Sequence, residues 1–110
     1  KIELVSSWVN YMTKFESNPL HSHDEDLSFV IYTNVPKKLK EEVASTIANT
    51  RPGAINFMHT LGTDKYTVNS HEFMPEVGDF FIFPASLNHN VNHFQSEGER
   101  ISISGNIKIV

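Results

Sequence analysis

Apolar and polar positions alternate over much of this chain with the two-residue period of a strand. Residues 4–15 mix Val, Trp, Tyr and Phe with polar interruptions. Leu27-Ser28-Phe29-Val30-Ile31-Tyr32-Thr33-Asn34-Val35 is a near-continuous β-favouring run, which predicts a strand buried on both faces and ended by Pro36. From 37 to 50 the period lengthens. Leu39, Val43 and Ile47 recur every four residues beside Ala44 and Ala48, predicting an amphipathic helix of about three to four turns closed by Arg51-Pro52-Gly53. Strands follow over 54–60 and 65–69 around a Gly62-Thr63-Asp64 turn. Another covers Phe80-Phe81-Ile82-Phe83, entered through a turn at 75–79 and stopped by Pro84. His, Asn, Val, Asn, His and Phe alternate over 89–94, and Glu97-Gly98-Glu99 reads as a hairpin-type turn into a last strand over 100–110. Seven or eight short strands with one helix insertion predict an all-β, double-sheet antiparallel jelly roll with a mouth between its sheets.

At 110 residues the chain makes a single domain, 1–110, with no internal repeat, linker or low-complexity tract. It opens on Lys1, as a trimmed piece of a longer chain would. A core this modest benefits from closing a sheet or from oligomerising, and exposed strand edges leave a homodimer open. The net charge of -4, with its one basic cluster (Lys37-Lys38-Leu39-Lys40) followed at once by Glu41-Glu42, argues against nucleic acid as a partner. No apolar run reaches membrane-spanning length and no signal peptide is visible, so no membrane association is expected. The absence of cysteine removes disulfides and thiolate metal sites, and fits a reducing, cytoplasmic compartment.

Three short segments could carry chemistry. In His21-Ser22-His23 the two imidazoles are two residues apart, so on a strand they share a face and can converge on one ion; Asp24, Glu25 and Asp26 follow as candidate carboxylates. Taken alone, the segment reads equally as a polar turn. His89 follows an aromatic strand and a proline-terminated loop, with Val91 and His93 on its face. With the earlier pair it completes three ligands from two strands, and a facial triad leaves positions open for substrate and oxygen. In Arg100-Ile101-Ser102-Ile103-Ser104 one face carries a guanidinium and two hydroxyls, the other isoleucines. A buried polar face needs partners, and a guanidinium fork beside a hydroxyl suits a carboxylate. The plainer reading of Arg100 alone is a surface salt bridge.

The combination His21-Ser22-His23, Leu27 through Pro36, Gly78-Asp79-Phe80-Phe81-Ile82-Phe83-Pro84-Ala85-Ser86-Leu87-Asn88-His89-Asn90-Val91 and Glu99-Arg100-Ile101-Ser102-Ile103-Ser104-Gly105-Asn106-Ile107 resembles the Fe(II)/2-oxoglutarate dioxygenases. It is most similar to a branch of small phage and marine bacterial proteins related to prolyl 4-hydroxylases. Trp8 and Asn10 fall where that branch carries a Trp-x-Asn strand. The resemblance implies a double-stranded β-helix with Fe(II) and 2-oxoglutarate as cofactors, and host cytoplasm as the location if phage-encoded. It makes His89 the distal ligand, and Arg100 the clamp on the far carboxylate of 2-oxoglutarate, with Ser102 helping and Tyr32 also touching the cosubstrate. The chain departs from the family's His-x-Asp/Glu: His23 stands where the carboxylate is expected, giving His21, His23 and His89, with His23 plus Glu25, or Asp24, as the alternative. His21 with His23 is preferred because Glu25 lies two residues before a strand and has little room to turn. The implied reaction is hydroxylation of an unidentified small-molecule or peptidyl substrate with release of succinate and CO2.

Two other readings stay open. A cupin-type metal-binding protein or dioxygenase shares the fold class, the His-x-His pair and a turn like Pro84-Ala85-Ser86-Leu87-Asn88-His89, but it has no role for Arg100 and Ser102, and its later glutamate is missing here. A non-catalytic β-sandwich interaction module, such as a virion domain, would keep the fold and lose the reaction.

Overall fold

The alternating pattern resolves into eight strands and one short helix in the computed structural model, which describes residues 1–47, 50–60 and 68–110. The elements are β1 (Ile2–Met12), β2 (Asn18–His21), β3 (Leu27–Asn34), α1 (Leu39–Ser45), β4 (Ile55–Thr60), β5 (Val68–Phe73), β6 (Phe80–Pro84), β7 (Asn88–Val91) and β8 (Arg100–Ile109). They form two four-stranded antiparallel sheets, ordered β1-β8-β3-β6 and β2-β7-β4-β5. This is the expected jelly roll. Among the described strands, only β4 and β5 are consecutive and paired with each other; the other connections cross between the sheets. Glu97-Gly98-Glu99 is therefore not a hairpin turn: it carries the chain from β7 in one sheet to β8 in the other.

Period-2 alternation decides what each strand shows the interior. On β3 it is Ser28, Val30 and Tyr32 that are buried, while Leu27, Phe29 and Ile31 are only partly covered. The prediction of a strand buried on both faces is corrected accordingly. Its second apolar face is genuine in sequence, but no second layer covers it among the described residues. On β8 the order is reversed from the usual one: the inward face is Arg100, Ser102, Ser104 and Asn106, and the isoleucines look outward. The core is split in two as a result. Val30, Tyr32, Ile55, Phe57 and Phe83 form one cluster; Met12, Leu39, Val91 and Phe94 form the other.

The helix is shorter than its periodicity suggests. It covers Leu39–Ser45, and Thr46 is already extended at φ -83 and ψ 127. Ile47 is fully exposed, so the third position of the every-four pattern buries nothing. Ala48 lies outside the described residues. What holds α1 is Leu39, which is buried in the second core cluster, and Glu42, whose carboxylate accepts the backbone N–H groups of Gln95 and Ser96 at 2.7–3.0 Å. The helix thus packs through Leu39 against Gly53, whose carbonyl accepts from Arg100. Of the predicted strand at 65–69, residues 68 and 69 are in β5, which runs on to Phe73; residues 65–67 and the Gly62-Thr63-Asp64 turn lie outside the described residues.

Gly105 sits where β8 passes under the Phe29 ring. A Cβ there would lie 2.5 Å from two ring carbons of Phe29 and 2.8 Å from the Ser6 carbonyl oxygen. The backbone oxygen cannot step aside as a side chain can. Gly105→Ala is expected to destabilise the fold by about 1–3 kcal/mol in urea or guanidinium unfolding, the usual cost of overpacking.

Candidate metal and anion site

The two sheets bring the sequence-predicted residues together from opposite walls. His21 on β2 is in register with His89 on β7, and His89 in turn with Phe57 on β4. His23 lies just past the end of β2 rather than on the strand. Its backbone N–H donates to the Ala85 carbonyl at 2.8 Å, which turns the ring back toward the other two. The ligand atoms of His21, His23 and His89 all lie within 4.8 Å of one another. Neither Asp24 nor Glu25 joins this group, so the alternative carboxylate ligands are not brought to it. His93, expected on the face of His89, lies beyond the end of β7 and is exposed.

The imidazoles are set for coordination. Nδ1–H of His21 donates to the Pro19 carbonyl at 2.6 Å, and Nδ1–H of His89 to the Leu87 carbonyl at 2.9 Å. Donation from Nδ1 places the lone pair on Nε2, and a backbone acceptor behind a histidine is the usual support of a metal ligand. His89 is buried, with the rings of Phe83 and Phe57 at 5.0 and 6.1 Å. Trp8 lies 5.7 Å from His23. Burial in this aromatic setting pushes the pKa of both His89 and His23 below the ordinary histidine value, and the neighbouring imidazoles push the same way. Neutral imidazole is the form that binds metal.

A pH dependence follows. The unfolded chain takes up protons on these two histidines near pH 6.5, whereas the folded chain holds out to lower pH. The unfolded state therefore binds more protons in that window. Stability of the metal-free protein is full above about pH 6.5 and falls as pH drops through the depressed folded values. Thermal melts from pH 7.5 downwards will show the decline, and His89→Phe will flatten part of it.

The opposite wall is the inward face of β1, β8 and β3. Arg100 pairs in register with Met12, Ser102 with both Asn10 and Tyr32, and Ser104 with Trp8 and Val30. Arg100 is 2% exposed. Its Nη2 donates to the Tyr32 hydroxyl at 2.9 Å, its Nε to the Gly53 carbonyl at 3.2 Å, and its guanidinium carbon lies 4.8 Å from the centre of the Tyr32 ring. Gly53 is held at φ +75, and a Cβ there would strike Leu39 at 2.9 Å, so this acceptor depends on a glycine. Among the described residues no carboxylate lies within ion-pair distance of Arg100. Burial pushes its pKa down, with Tyr32 opposing the shift, but an arginine stays charged. Burial also raises the Tyr32 pKa, against the pull of Arg100, which keeps the phenol protonated. Since Tyr32 accepts from Arg100, its own hydrogen is left to donate.

One cavity of about 70 Å³ joins the two walls. The three histidines, Arg100, Ser102 and Tyr32 all line it, together with Trp8, Asn10 and Ser104. Asn10 Nδ2 donates to Ser104 Oγ at 3.2 Å, closing one side of the cavity. Asn10 and Ser104 are 94 residues apart, so no short period in the sequence pairs them. Continuing the two-residue period of β8 would also have reached Asn106, which accepts from Ser28 at 2.7 Å. The Gly53 carbonyl carried no signal in the sequence. The donor set fits both groups that the resemblance implies. Three imidazole nitrogens suit a divalent transition metal. A buried guanidinium with no acidic partner among the described residues, beside a phenol with a hydrogen to give, suits a carboxylate.

Comparison with known proteins agrees. Residues 6–106 match the family model 2OG-FeII_Oxy_5, described as "Putative 2OG-Fe(II) oxygenase". The match is to the family as a whole and does not single out the phage and marine bacterial branch. Among solved structures, the chain is similar to an oxidoreductase of the 2OG-Fe(II) oxygenase family from Burkholderia pseudomallei, with a TM-score of 0.71 at 17% identity over 98% of this chain and 45% of that one. It is also similar to Peruvianin-I, a cysteine peptidase from Thevetia peruviana latex, with a TM-score of 0.52 at 14% identity, over 100% of this chain and 66% of that one. Likeness at such identities speaks for the fold alone. The chain spans less than half the length of the Burkholderia protein. No curated protein matches. With the family match covering nearly its whole length, the chain belongs to the 2OG-Fe(II) oxygenases, a family of oxidoreductases whose name carries its two cofactors, Fe(II) and 2-oxoglutarate.

Proposed function

We propose that this jelly roll is the catalytic unit of an Fe(II)- and 2-oxoglutarate-dependent oxygenase that hydroxylates a C–H bond of a small-molecule or peptidyl substrate. One oxygen atom of O2 goes to the substrate and the other to succinate, with the C1 carboxylate of the keto acid leaving as CO2. The observation that carries this reading is Arg100. A metal-only protein has no use for a buried cation with no acidic partner among the described residues, facing three imidazoles across one cavity.

His21, His23 and His89 would hold the ion, each through one ring nitrogen. Arg100 and Tyr32 would take the far carboxylate of 2-oxoglutarate, Arg100 through its unused N–H groups and Tyr32 through its hydroxyl hydrogen. Ser102, buried in the same row, adds a hydroxyl. When bound, the iron supplies oxygen activation and a second anchor for the keto acid. The protein supplies ligand geometry, the carboxylate clamp and the Phe57–Phe83 wall that keeps water from His89. Three neutral imidazoles bring no negative charge. The ion and Arg100 together then outweigh the dianion, and the loaded site keeps a net positive charge that favours retention of the cosubstrate. His23→Asp would neutralise that excess.

The test is succinate formation under air with Fe(II), ascorbate and 2-oxoglutarate. The proposal expects succinate that depends on both Fe(II) and 2-oxoglutarate and disappears in Arg100→Ala. Succinate formed equally by Arg100→Ala, or none under any combination with candidate substrates, would count against it.

A further inference from the structure

The turn that offers the Gly53 carbonyl to Arg100 is pinned from outside the sandwich. Asn90, Asn56 and Glu72 stand in register across β7, β4 and β5, on the outward face of their sheet, and Asn92 follows just past β7. The Glu72 carboxylate accepts the backbone N–H of Arg51 at 3.2 and 3.3 Å, and the side-chain amide of Asn92 at 3.2 Å. That same amide donates to the Arg51 carbonyl at 2.9 Å. Asn90 Nδ2 donates to Asn92 Oδ1 at 3.2 Å, which turns the Asn92 nitrogen toward Arg51 and Glu72. The backbone adds two bonds, from Asn92 N–H to the Ala54 carbonyl at 3.0 Å and from Gly53 N–H to the Asn92 carbonyl at 3.2 Å. From the other side Leu39 closes on Gly53.

We infer that Asn92 and Glu72 are positioning residues for Arg100: they hold the Gly53 carbonyl where it sets the plane of the guanidinium. This role rests on Arg100 being the carboxylate clamp proposed above. A guanidinium is flat, and it meets a carboxylate well only when its N–H fork lies in the carboxylate plane. Two bonds fix that plane, Nη2 to the Tyr32 hydroxyl and Nε to the Gly53 carbonyl. Tyr32 sits on a strand paired on both sides, whereas Gly53 sits on a turn. The turn is therefore the adjustable partner, and the Asn92–Glu72 pair is what fixes it. Stability alone is a poor reason for this polar row. Among the described residues, Asn56 Oδ1 and Asn90 Oδ1 are buried with no hydrogen-bond partner, which costs the fold free energy. The network is also separate from the metal wall. Its side-chain bonds join residues 51, 72, 90 and 92, while those that support the histidines end on Pro19, Ala85 and Leu87.

Asn92→Asp tests this, because it removes both donated bonds and sets a second carboxylate against Glu72. In the metal-free protein, hydrogen exchange at Arg100 Nε–H is followed by NMR. Arg51 is the other arginine of the chain, so Arg100→Met assigns the signal. In calorimetric titrations, Co(II) goes into the metal-free protein and 2-oxoglutarate into the Co(II)-loaded one. Asn92→Asp is expected to speed Nε–H exchange and to weaken 2-oxoglutarate, each by about tenfold, with Co(II) affinity unchanged. Adding Glu72→Gln to Asn92→Asp puts a donor back opposite the new carboxylate and is expected to restore most of both. Should Asn92→Asp fail to fold, Glu72→Gln alone, which sets amide against amide, carries the same comparison. A folded Asn92→Asp with wild-type exchange and wild-type 2-oxoglutarate affinity overturns the inference. So does a parallel loss of Co(II) and 2-oxoglutarate affinity that the double variant does not recover, as a general loosening of the fold would predict. A Co(II)-loaded wild type that does not bind 2-oxoglutarate sinks the oxygenase reading instead. In that case faster Nε–H exchange in Asn92→Asp still supports the positioning of Arg100, and unchanged exchange overturns it.

Discussion

Arg100→Met will remove 2-oxoglutarate binding from the metal-loaded protein and leave metal binding in place. A hydrogen bond to a charged group contributes about 1.5–3 kcal/mol, so losing two of them weakens binding by at least about a hundredfold. Calorimetric titration of 2-oxoglutarate into protein loaded with Co(II) or Fe(II) will show it. The ligand-free protein should hardly notice the change. Arg100 is buried with a phenol and one carbonyl for company, and no carboxylate among the described residues. The cost of burying an isolated guanidinium offsets what its two hydrogen bonds return, and Met fills much of the same volume. Ligand-free stability should move by no more than about 1 kcal/mol, within the range of ordinary substitutions. A residue kept for packing would behave in the opposite way, losing stability and sparing the ligand. Tyr32→Phe should give a smaller version of the result, weakening 2-oxoglutarate about tenfold, since it removes one neutral donor.

His89→Ala will abolish the stabilisation that metal confers. For the wild type, a divalent ion at about 100 times its Kd adds about 2.7 kcal/mol to the unfolding free energy, which thermal melts with and without metal will register. His89 is the buried member of the trio, in register with His21 and braced by Phe57 and Phe83. Its loss leaves two ligands, one of them beyond the end of a strand. The metal increment should vanish, and the metal-free protein should lose about 1–3 kcal/mol for the space opened between the two phenylalanines. Glu25→Gln, by contrast, should leave the metal increment untouched, because the carboxylate is not brought to the trio.

Much of this site could be read in the sequence because it is written in short-range periods. His21 and His23 are two residues apart; Arg100, Ser102 and Ser104 alternate with isoleucines; Gly78-Asp79 and Pro84 bracket an aromatic strand. Periods place side chains on a face, and Arg100, Ser102 and Ser104 do share the inward face of β8. Such periods do not say which sheet a strand joins. That is why Glu97-Gly98-Glu99 looked like a hairpin turn, although β7 and β8 belong to different sheets. Nor do they distinguish a face that is covered from one that is merely apolar. Leu27, Phe29 and Ile31 carry the signature of a strand buried twice over, yet among the described residues they are only partly covered. The helix misled for a related reason. Leu39, Val43 and Ile47 keep a helical spacing, but only Leu39 finds a deep partner, and the backbone turns extended at Thr46 before Ile47 can contribute. The contribution of Gly53 depends on a carbonyl direction that only the folded chain defines.

In the proposed oxygenase two walls of one cavity act together, the imidazoles on an ion and Arg100 on the far end of a dicarboxylate. Calorimetric titration of 2-oxoglutarate into wild type and Arg100→Met, each with and without a divalent metal, examines that most directly. Tight binding is predicted only for metal-loaded wild type, with metal-free wild type and both forms of Arg100→Met weaker by about a hundredfold or more. Equal binding by wild type and Arg100→Met, or no binding by the metal-loaded wild type, would contradict it.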